Sequence, residues 1–117
     1  MELPGPHAWS AVRDGLGREI YLIVREAVVN AVRHGGARRV AVEARLVDRS
    51  RLVLDIADDG RGFPFRGTRS LGELLSGSVG PRSICERVAG LRGLLAVEST
   101  PSGSRLKVEL PLDAVHG

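Results

Sequence analysis

A single stretch of the chain, from Arg18 to Gly35, restricts the possible folds more than any other feature. Placed on an α-helix, its sequence REIYLIVREAVVNAVRHG is apolar at nearly every position, and a helix that is apolar on all sides must be buried. The polar exceptions are Glu26, Asn30, Arg33 and His34, at i, i+4, i+7 and i+8, which places them on one face. Because unpaired polar groups are costly to bury, this polar stripe must face buried partners or a cleft. We interpret it as the floor of a ligand site.

Length and composition predict one soluble domain. A chain of 117 residues, 43% hydrophobic and 26% charged, is typical of a single globular domain, here spanning residues 1–117. One cysteine, Cys85, excludes an internal disulfide and fits a reducing compartment. No apolar run is long enough to span a bilayer, and residues 1–10 lack the pattern of a secretion signal. We therefore expect a soluble, cytoplasmic chain that makes no membrane contact of its own.

The basic residues are almost all arginine. Lys107 is the only lysine among 17 basic residues, for which a compositional bias of the source genome is the simplest explanation. As a consequence, a side-chain cation that meets a phosphate here is an arginine, which can bind it in a bidentate manner. The net charge of +3 is mild, the basic residues are scattered, and aromatic residues are few. No direct contact with nucleic acid is predicted.

The order of the periodic segments predicts an α+β fold. The chain reads as helix, two strands, loop, helix and two strands, which favours a two-layer α/β sandwich with helices on one face of a mixed, mostly antiparallel sheet. The expected segments are an N-terminal segment (1–17), a hairpin (38–46 and 52–56, turn 48–50), a loop (64–79), a helix (82–91) and two strands (95–97 and 106–112).

Strand parity predicts two polar side chains that point toward the core. Asp58 continues the inward series of Leu54 and Ile56, and Ser104 has the same parity as Leu106. An inward carboxylate needs a hydrogen-bond donor to compensate for its desolvation. The glycine-rich break DDGRGF follows at once, and on its own this break favours a plain Asp-Gly turn.

Glycine and serine interrupt residues 64–79, and only residues 71–75 could form a helical turn there. Long loops within small domains are often lids over a site, and we interpret this one as a lid. Gly80 and Pro81 then begin the second helix, because the missing N–H of proline costs little at a helix start.

Several common sites are absent from the sequence. It contains no phosphate-binding loop, no complete dinucleotide fingerprint, no zinc-ligand spacing and no nucleophile elbow. The remaining groups suit a nucleotide. An inward carboxylate can accept from the exocyclic amine of adenine, and an asparagine oxygen suits Mg²⁺. Backbone N–H groups of the lid and of the following helix start suit phosphates.

These segments resemble the nucleotide-binding boxes of one family. The run EAVVNAVRH (26–34) resembles the N box of the Bergerat-fold (GHKL) ATPases, and DDGRGF (58–63) resembles their next glycine box. The segments GSVG (77–80) and ICERV (84–88) are similar to the lid box and following helix of sensor histidine kinases of the nitrate-sensor class. SGS (102–104) and the ending LPL (110–112) resemble the last two strands of that domain. The boxes occur in the family's order over residues 18–112.

The resemblance implies a role for each part of the stripe. Asn30 is expected to ligate Mg²⁺, and Glu26, one turn earlier, to orient or deprotonate a water or hydroxyl. Arg33 and His34 are expected near the phosphates. An alternative interpretation of the stripe is a Glu–Arg pairing at the surface.

The resemblance also implies the binding of the base and of the nucleotide backbone. Asp58 is expected to bind the adenine amine, and Ser104 stands where the family usually has a threonine near the base. Four glycines are expected to let the backbone approach the nucleotide: Gly60, Gly62, Gly77 and Gly80.

The lid departs from the family pattern. Gly80-Pro81-Arg82-Ser83-Ile84 stands where Gly-Leu-x-Gly-Met is typical, so proline removes a backbone donor and a serine replaces a glycine. The two glycines that usually follow the helix are reduced to Arg92-Gly93. These departures predict weaker nucleotide binding, or a lid that is ordered only beside a partner domain.

The resemblance implies the ATP-binding catalytic domain of a two-component sensor histidine kinase. Such a domain binds Mg-ATP and donates the γ-phosphate to a histidine on a dimerisation domain of the same full-length protein, which then serves a response regulator. No two-helix hairpin with an acceptor histidine precedes Arg18, so we expect a part of a larger, membrane-linked sensor that does not autophosphorylate alone. Two alternatives are an anti-sigma-factor-like serine kinase or binding module, and a degenerate scaffold of the same fold that binds no nucleotide.

Overall fold

A five-stranded sheet forms one layer of the fold, and the structure, a computed structural model, describes residues 14–77 and 80–112. The strand order is β1-β2-β5-β4-β3. The strands are β1 (Val40–Val47), β2 (Arg51–Asp58), β3 (Gly67–Ser70), β4 (Leu94–Thr100) and β5 (Gly103–Pro111). The helices are α1 (Asp14–Val29), which continues into a π-helical turn (Asn30–His34), α2 (Leu71–Ser76) and α3 (Arg82–Gly90).

The helices cover one face of this sheet and confirm the two-layer α+β prediction. Ile20 and Ile23 of α1 and Ile84 of α3 are fully buried against inward-facing strand residues such as Leu54 and Val108. The opposite face carries charged side chains, among them the ion pairs Arg105–Asp55 (3.4 Å) and Arg51–Glu109 (3.5 Å). This segregation follows from the apolar–polar alternation along the strands.

The sheet is antiparallel in every described pairing, whereas a mixed, mostly antiparallel sheet was expected. β5 lies between β2 and β4 and runs antiparallel to both, so no parallel pair arises. The predicted β1–β2 hairpin is confirmed. Asp48 and Arg49 in its turn both have positive φ (55° and 57°), which fits the twist of the flanking strands.

The expected loop at residues 64–79 contains regular structure, and the prediction of a loop is wrong for β3. Ser70 and Glu73 explain the helix, because they form a reciprocal capping box. The Ser70 hydroxyl accepts from the Glu73 N–H (3.4 Å), and the Ser70 N–H donates to the Glu73 carboxylate (3.0 Å). The helical turn expected at residues 71–75 is confirmed.

The first helix begins earlier than expected and the second ends close to where it was expected. α1 includes residues 14–17, which were assigned to the N-terminal segment; the rest of that segment, with Trp9, lies outside the described residues. After α3, Arg92 has a φ of 59°, the left-handed conformation that favours glycine. This agrees with the resemblance, in which Arg92 stands where the family usually has the first of two glycines. The Gly93 N–H then donates to the Val88 carbonyl (2.9 Å) and ends the helix.

The packing of α1 on the sheet can be tested with adjacent residues of that helix. Ile20 is fully buried and Tyr21 is 60% exposed. Ile20→Ala should lower the free energy of unfolding by about 2–5 kcal/mol because it leaves a cavity in the core. Tyr21→Ala, the matched control, should stay within about 0.5 kcal/mol of the wild type. Urea denaturation measures both, and equal effects would contradict this packing.

Candidate functional site

A cavity of about 750 Å³ lies where the polar stripe of α1, the ends of two strands and the start of α3 meet. Its volume is in the range of about 300–1,000 Å³ typical of small-molecule sites. Residues predicted for the site line it from each of these elements. They are Glu26, Asn30, His34, Asp58, Ser104 and Gly80, with Gly62 in the adjoining loop.

The π-helical turn at the end of α1 separates Arg33 from His34. The Gly35 N–H donates to the Asn30 carbonyl (3.1 Å), five residues earlier, and the turn is therefore wider than in an α-helix. Because each residue of a wider turn rotates less about the axis, His34 stays in line with Asn30 while Arg33 turns away. Both side chains are exposed, but His34 lines the cavity and Arg33 does not.

Glu26 is held by an arginine of the neighbouring helix. The Arg87 Nε donates to Glu26 Oε1 (3.2 Å), and its Nη1 donates to Glu19 Oε2 (3.0 Å). A Glu–Arg pairing therefore exists, as the alternative interpretation of the stripe proposed. The arginine that pairs with Glu26 is Arg87 of α3, and not Arg33 of the stripe. Glu26 still lines the cavity.

The strand-parity prediction for Asp58 and Ser104 is confirmed. Ser104 is 9% exposed, and its hydroxyl donates to Asp58 Oδ2 (2.5 Å). The Gly60 N–H donates to Asp58 Oδ1 (2.8 Å). Two donors thus compensate for the partial burial of the carboxylate, and each oxygen keeps a further lone pair for a ligand.

The glycine-rich break after β2 is more than an Asp-Gly turn, because nearby backbone segments of the same chain leave no room for side chains at Gly60 and Gly62. A Cβ on Gly62, whose φ is +78°, would lie 2.5 Å from the Thr100 carbonyl oxygen. A Cβ on Gly60 would lie 2.8 Å from the Gly35 carbonyl oxygen, so β2 and the end of α1 meet here. Gly60 does not line the cavity itself; it packs behind Asp58.

Asp59 points away from the cavity. Its Oδ1 accepts from the backbone N–H groups of Arg39 (2.9 Å) and Arg38 (2.8 Å), and these hydrogen bonds hold the pKa of the Asp59 carboxyl below its usual value. The two adjacent aspartates therefore differ in environment. Asp58 faces the cavity, while Asp59 joins the end of β2 to the segment before β1.

The start of α3 is shaped by Gly80 and Pro81. Gly80 has a φ of +120°, and the Arg82 N–H donates to its carbonyl (2.9 Å) across Pro81, whose φ and ψ of −81° and 80° form a tight three-residue turn. Both residues line the cavity, as do Arg82 and Ser83 of the first helical turn. The amino end of α3, with its partial positive charge, therefore faces the cavity.

One glycine predicted for the site, Gly77, lies away from the cavity. Several residues that line the cavity were not assigned a role in the sequence analysis. The Gly77 N–H donates to the Glu73 carbonyl (3.1 Å) at the end of α2, and Gly77 does not line the cavity. Arg25, Arg82 and Phe63 do line it. Phe63 is the last residue of the glycine-rich break DDGRGF and could have been identified by that position.

The described residues include no group of three or more histidine, cysteine or acidic side chains that could hold a metal ion. Asn30 offers one hard oxygen ligand at the cavity wall, which fits a Mg²⁺ ion whose other ligands are phosphate oxygens and waters. No helix in the described part of the chain is long and apolar enough to cross a membrane.

The chain matches one protein family and several sensor kinases. The profile of the family described as histidine kinase-, DNA gyrase B- and HSP90-like ATPases matches residues 15–114. The sensor histidine kinase NarS of Mycobacterium tuberculosis is 38% identical over 101 residues, which are 86% of this chain and 23% of NarS.

Solved structures agree with this match. The ATP binding domain of PrrB from Mycobacterium tuberculosis is 30% identical with a TM-score of 0.61, covering 80% of this chain and 67% of that one. The histidine kinase domain of the blue-light activated kinase EL346 from Erythrobacter litoralis is 28% identical with a TM-score of 0.63, covering 81% of this chain and 44% of that one. The chain spans between 20% and 28% of the length of the curated relatives that it matches.

The close approach at Gly62 can be tested by adding one methyl group. Gly62→Ala should lower the free energy of unfolding by about 1–3 kcal/mol, because the positive φ and the contact with the Thr100 carbonyl both oppose a Cβ. Gly72→Ala is the control: it lies in α2 with open space around it and should be neutral or slightly stabilising. Urea midpoints compare the two, and an unaffected Gly62→Ala variant would contradict the close approach.

Proposed function

The chain belongs to the family of histidine kinase-, DNA gyrase B- and HSP90-like ATPases, and we propose that its cavity binds Mg-ATP for transfer of the γ-phosphate to a histidine. In this proposal the chain is the catalytic domain of a sensor histidine kinase. The observation that supports it most directly is that one cavity has Asp58 and Ser104 on one wall and Asn30 on another.

Asp58 and Ser104 form the base-binding end. The Asp58 carboxylate accepts a hydrogen bond from the exocyclic amine of adenine, a donor that guanine does not present at the same position. Ser104 and the Gly60 N–H hold both carboxylate oxygens in place before the nucleotide arrives. Because these hydrogen bonds restrain the Asp58 side chain, its ordering adds little to the entropic cost of binding.

Asn30 and Glu26 form the metal and proton-handling part of the site. The Asn30 side-chain oxygen would ligate Mg²⁺. The bound ion would neutralise part of the negative charge of the phosphates. Glu26, one helical turn earlier, orients or deprotonates the attacking group. Both side chains line the same cavity, so they can act on one bound phosphate chain.

The phosphates are bound by the amino end of α3 and by groups near the end of α1. Gly80 allows the backbone to approach closely, and the free N–H groups of the first turn of α3 donate to phosphate oxygens. His34 lies on the cavity wall for the same purpose. Arg33 is exposed beside it, and in our proposal it acts from the rim. Gly77 ends α2 and does not line the cavity, so in our proposal it makes no direct contact with the nucleotide.

The partners proposed follow from this reaction. The phosphate acceptor is a histidine on a dimerisation domain of the same full-length protein, and a response regulator receives the phosphate afterwards. The matched relatives bear the names of sensor kinases and sensor proteins, which supports this proposal over an anti-sigma-factor-like serine kinase. The formed cavity with its paired Asp58 argues against a scaffold that binds no nucleotide.

The base-binding role can be tested with two adjacent aspartates. Asp58→Asn should weaken Mg-ATP binding roughly 10- to 100-fold, because a charge-assisted hydrogen bond is lost. Asp59→Asn removes an equal charge that faces away from the cavity, and it should leave the affinity within about twofold. Isothermal titration calorimetry measures both on protein that melts at the wild-type temperature. Unchanged affinity in Asp58→Asn would contradict the adenine assignment.

A further inference from the structure

Arg87 joins the two helices that flank the cavity, and the proposed reaction gives it no part. It lies on α3 one turn after the buried Ile84, and its guanidinium reaches two carboxylates of α1. Its Nε donates to Glu26 Oε1 and its Nη1 to Glu19 Oε2, at 3.2 and 3.0 Å. Arg87 is thus the one described residue that holds the carboxylate of Glu26.

The arrangement differs from an ordinary surface ion pair. The side chains of Arg87, Glu19 and Glu26 are only 29%, 33% and 27% exposed, so all three are half-buried. Exposed pairs contribute little because water and rotamer entropy compete with them, whereas half-buried pairs are less screened. The hydrogen bonds to Glu19 and Glu26 raise the pKa of Arg87, so its guanidinium stays charged.

The geometry fixes the direction of the arginine. Glu19 and Glu26 are separated by two helical turns and therefore lie on one face of α1. The planar guanidinium donates to them from two different nitrogens, which sets both its position and its plane. Within the described part of the chain, Glu26 accepts a hydrogen bond only at Oε1, and Oε2 keeps its lone pairs.

We propose that Arg87 is a positioning residue that holds the Glu26 carboxylate in its reactive orientation at the cavity wall, with Glu19 as the anchor of the arginine. This inference rests on the proposed role of Glu26. Arg87 fixes one carboxylate oxygen, so that the other can accept from the attacking group. It also keeps Glu26 from turning toward a metal ion ligated by Asn30, one helical turn away, where a free carboxylate would compete as a hard oxygen ligand.

The test uses substitutions that change this geometry without removing the Glu26 carboxylate. Arg87→Lys retains the cation but cannot donate from two fixed nitrogens. Glu19→Gln loosens the anchor without touching Glu26. Arg51→Lys is the matched control, because Arg51 pairs with Glu109 (3.5 Å) on the open face of the sheet and does not line the cavity. Equal melting temperatures establish that all variants are folded.

The first readout is spectroscopic and needs no activity. The carbon-13 carboxyl resonance of Glu26 in the ligand-free protein is assigned by its loss in Glu26→Gln. Arg87→Lys should move this resonance, Glu19→Gln should move it less, and Arg51→Lys should leave it in place. An unmoved resonance in Arg87→Lys overturns the inference.

The second readout is the rate of phosphate release from Mg-ATP. Arg87→Lys should lower kcat roughly tenfold with KM within about twofold, because the carboxylate is misplaced while the nucleotide still binds. In a Glu26→Gln background the same substitution should cost nothing further, since its effect passes through Glu26. Equal losses in both backgrounds would show a purely structural role and overturn the inference.

The outcomes separate this inference from the proposed function. If the wild-type chain does not bind Mg-ATP, the proposed function fails, and the carboxyl resonance still decides whether Arg87 positions Glu26. If the wild type binds Mg-ATP but releases no phosphate, nucleotide binding stands, and the carboxyl resonance decides whether Arg87 positions Glu26.

Discussion

The burial of α1 against the sheet is the interaction on which the site depends. Residues such as Ile20 and Ile23 are fully buried there, so the helix can take only one rotation about its axis. That rotation directs Glu26 and Asn30 into the cavity between α1, α3 and the ends of the strands. The packing that stabilises the domain thus also orients the groups proposed to handle the metal and the proton.

The opposite wall depends on a partly buried charge. Asp58 ends β2 on the inward side, where a carboxylate without donors would be costly. Ser104 of β5 and the Gly60 N–H provide these donors at 2.5 and 2.8 Å, and the register Asp58↔Ser104 places the serine directly opposite. The same hydrogen bonds that make the charge tolerable also fix its orientation.

Much of this arrangement could be predicted from local periodicity. Strand parity was sufficient to predict that Asp58 and Ser104 point inward, and helical spacing brought Glu26 and Asn30 onto one face. The rest could not be read from the same patterns. No periodic pattern in the sequence distinguishes the π-helical turn, which separates Arg33 from His34, from a continuing α-helix. The contact of Arg87 with Glu26 joins two helices that are far apart in the chain, so local patterns do not predict it. The capping box of α2 can be recognised in the sequence, but an analysis of periodicity alone does not detect it.

Both walls of the cavity are proposed to bind one nucleotide. A crystal structure of the protein with Mg²⁺ and a non-hydrolysable ATP analogue tests it most directly. We expect the adenine amine within hydrogen-bond distance of the Asp58 carboxylate and Mg²⁺ on the side-chain oxygen of Asn30. A nucleotide whose base lies away from Asp58, or a cavity that stays empty at saturating concentration, would contradict it.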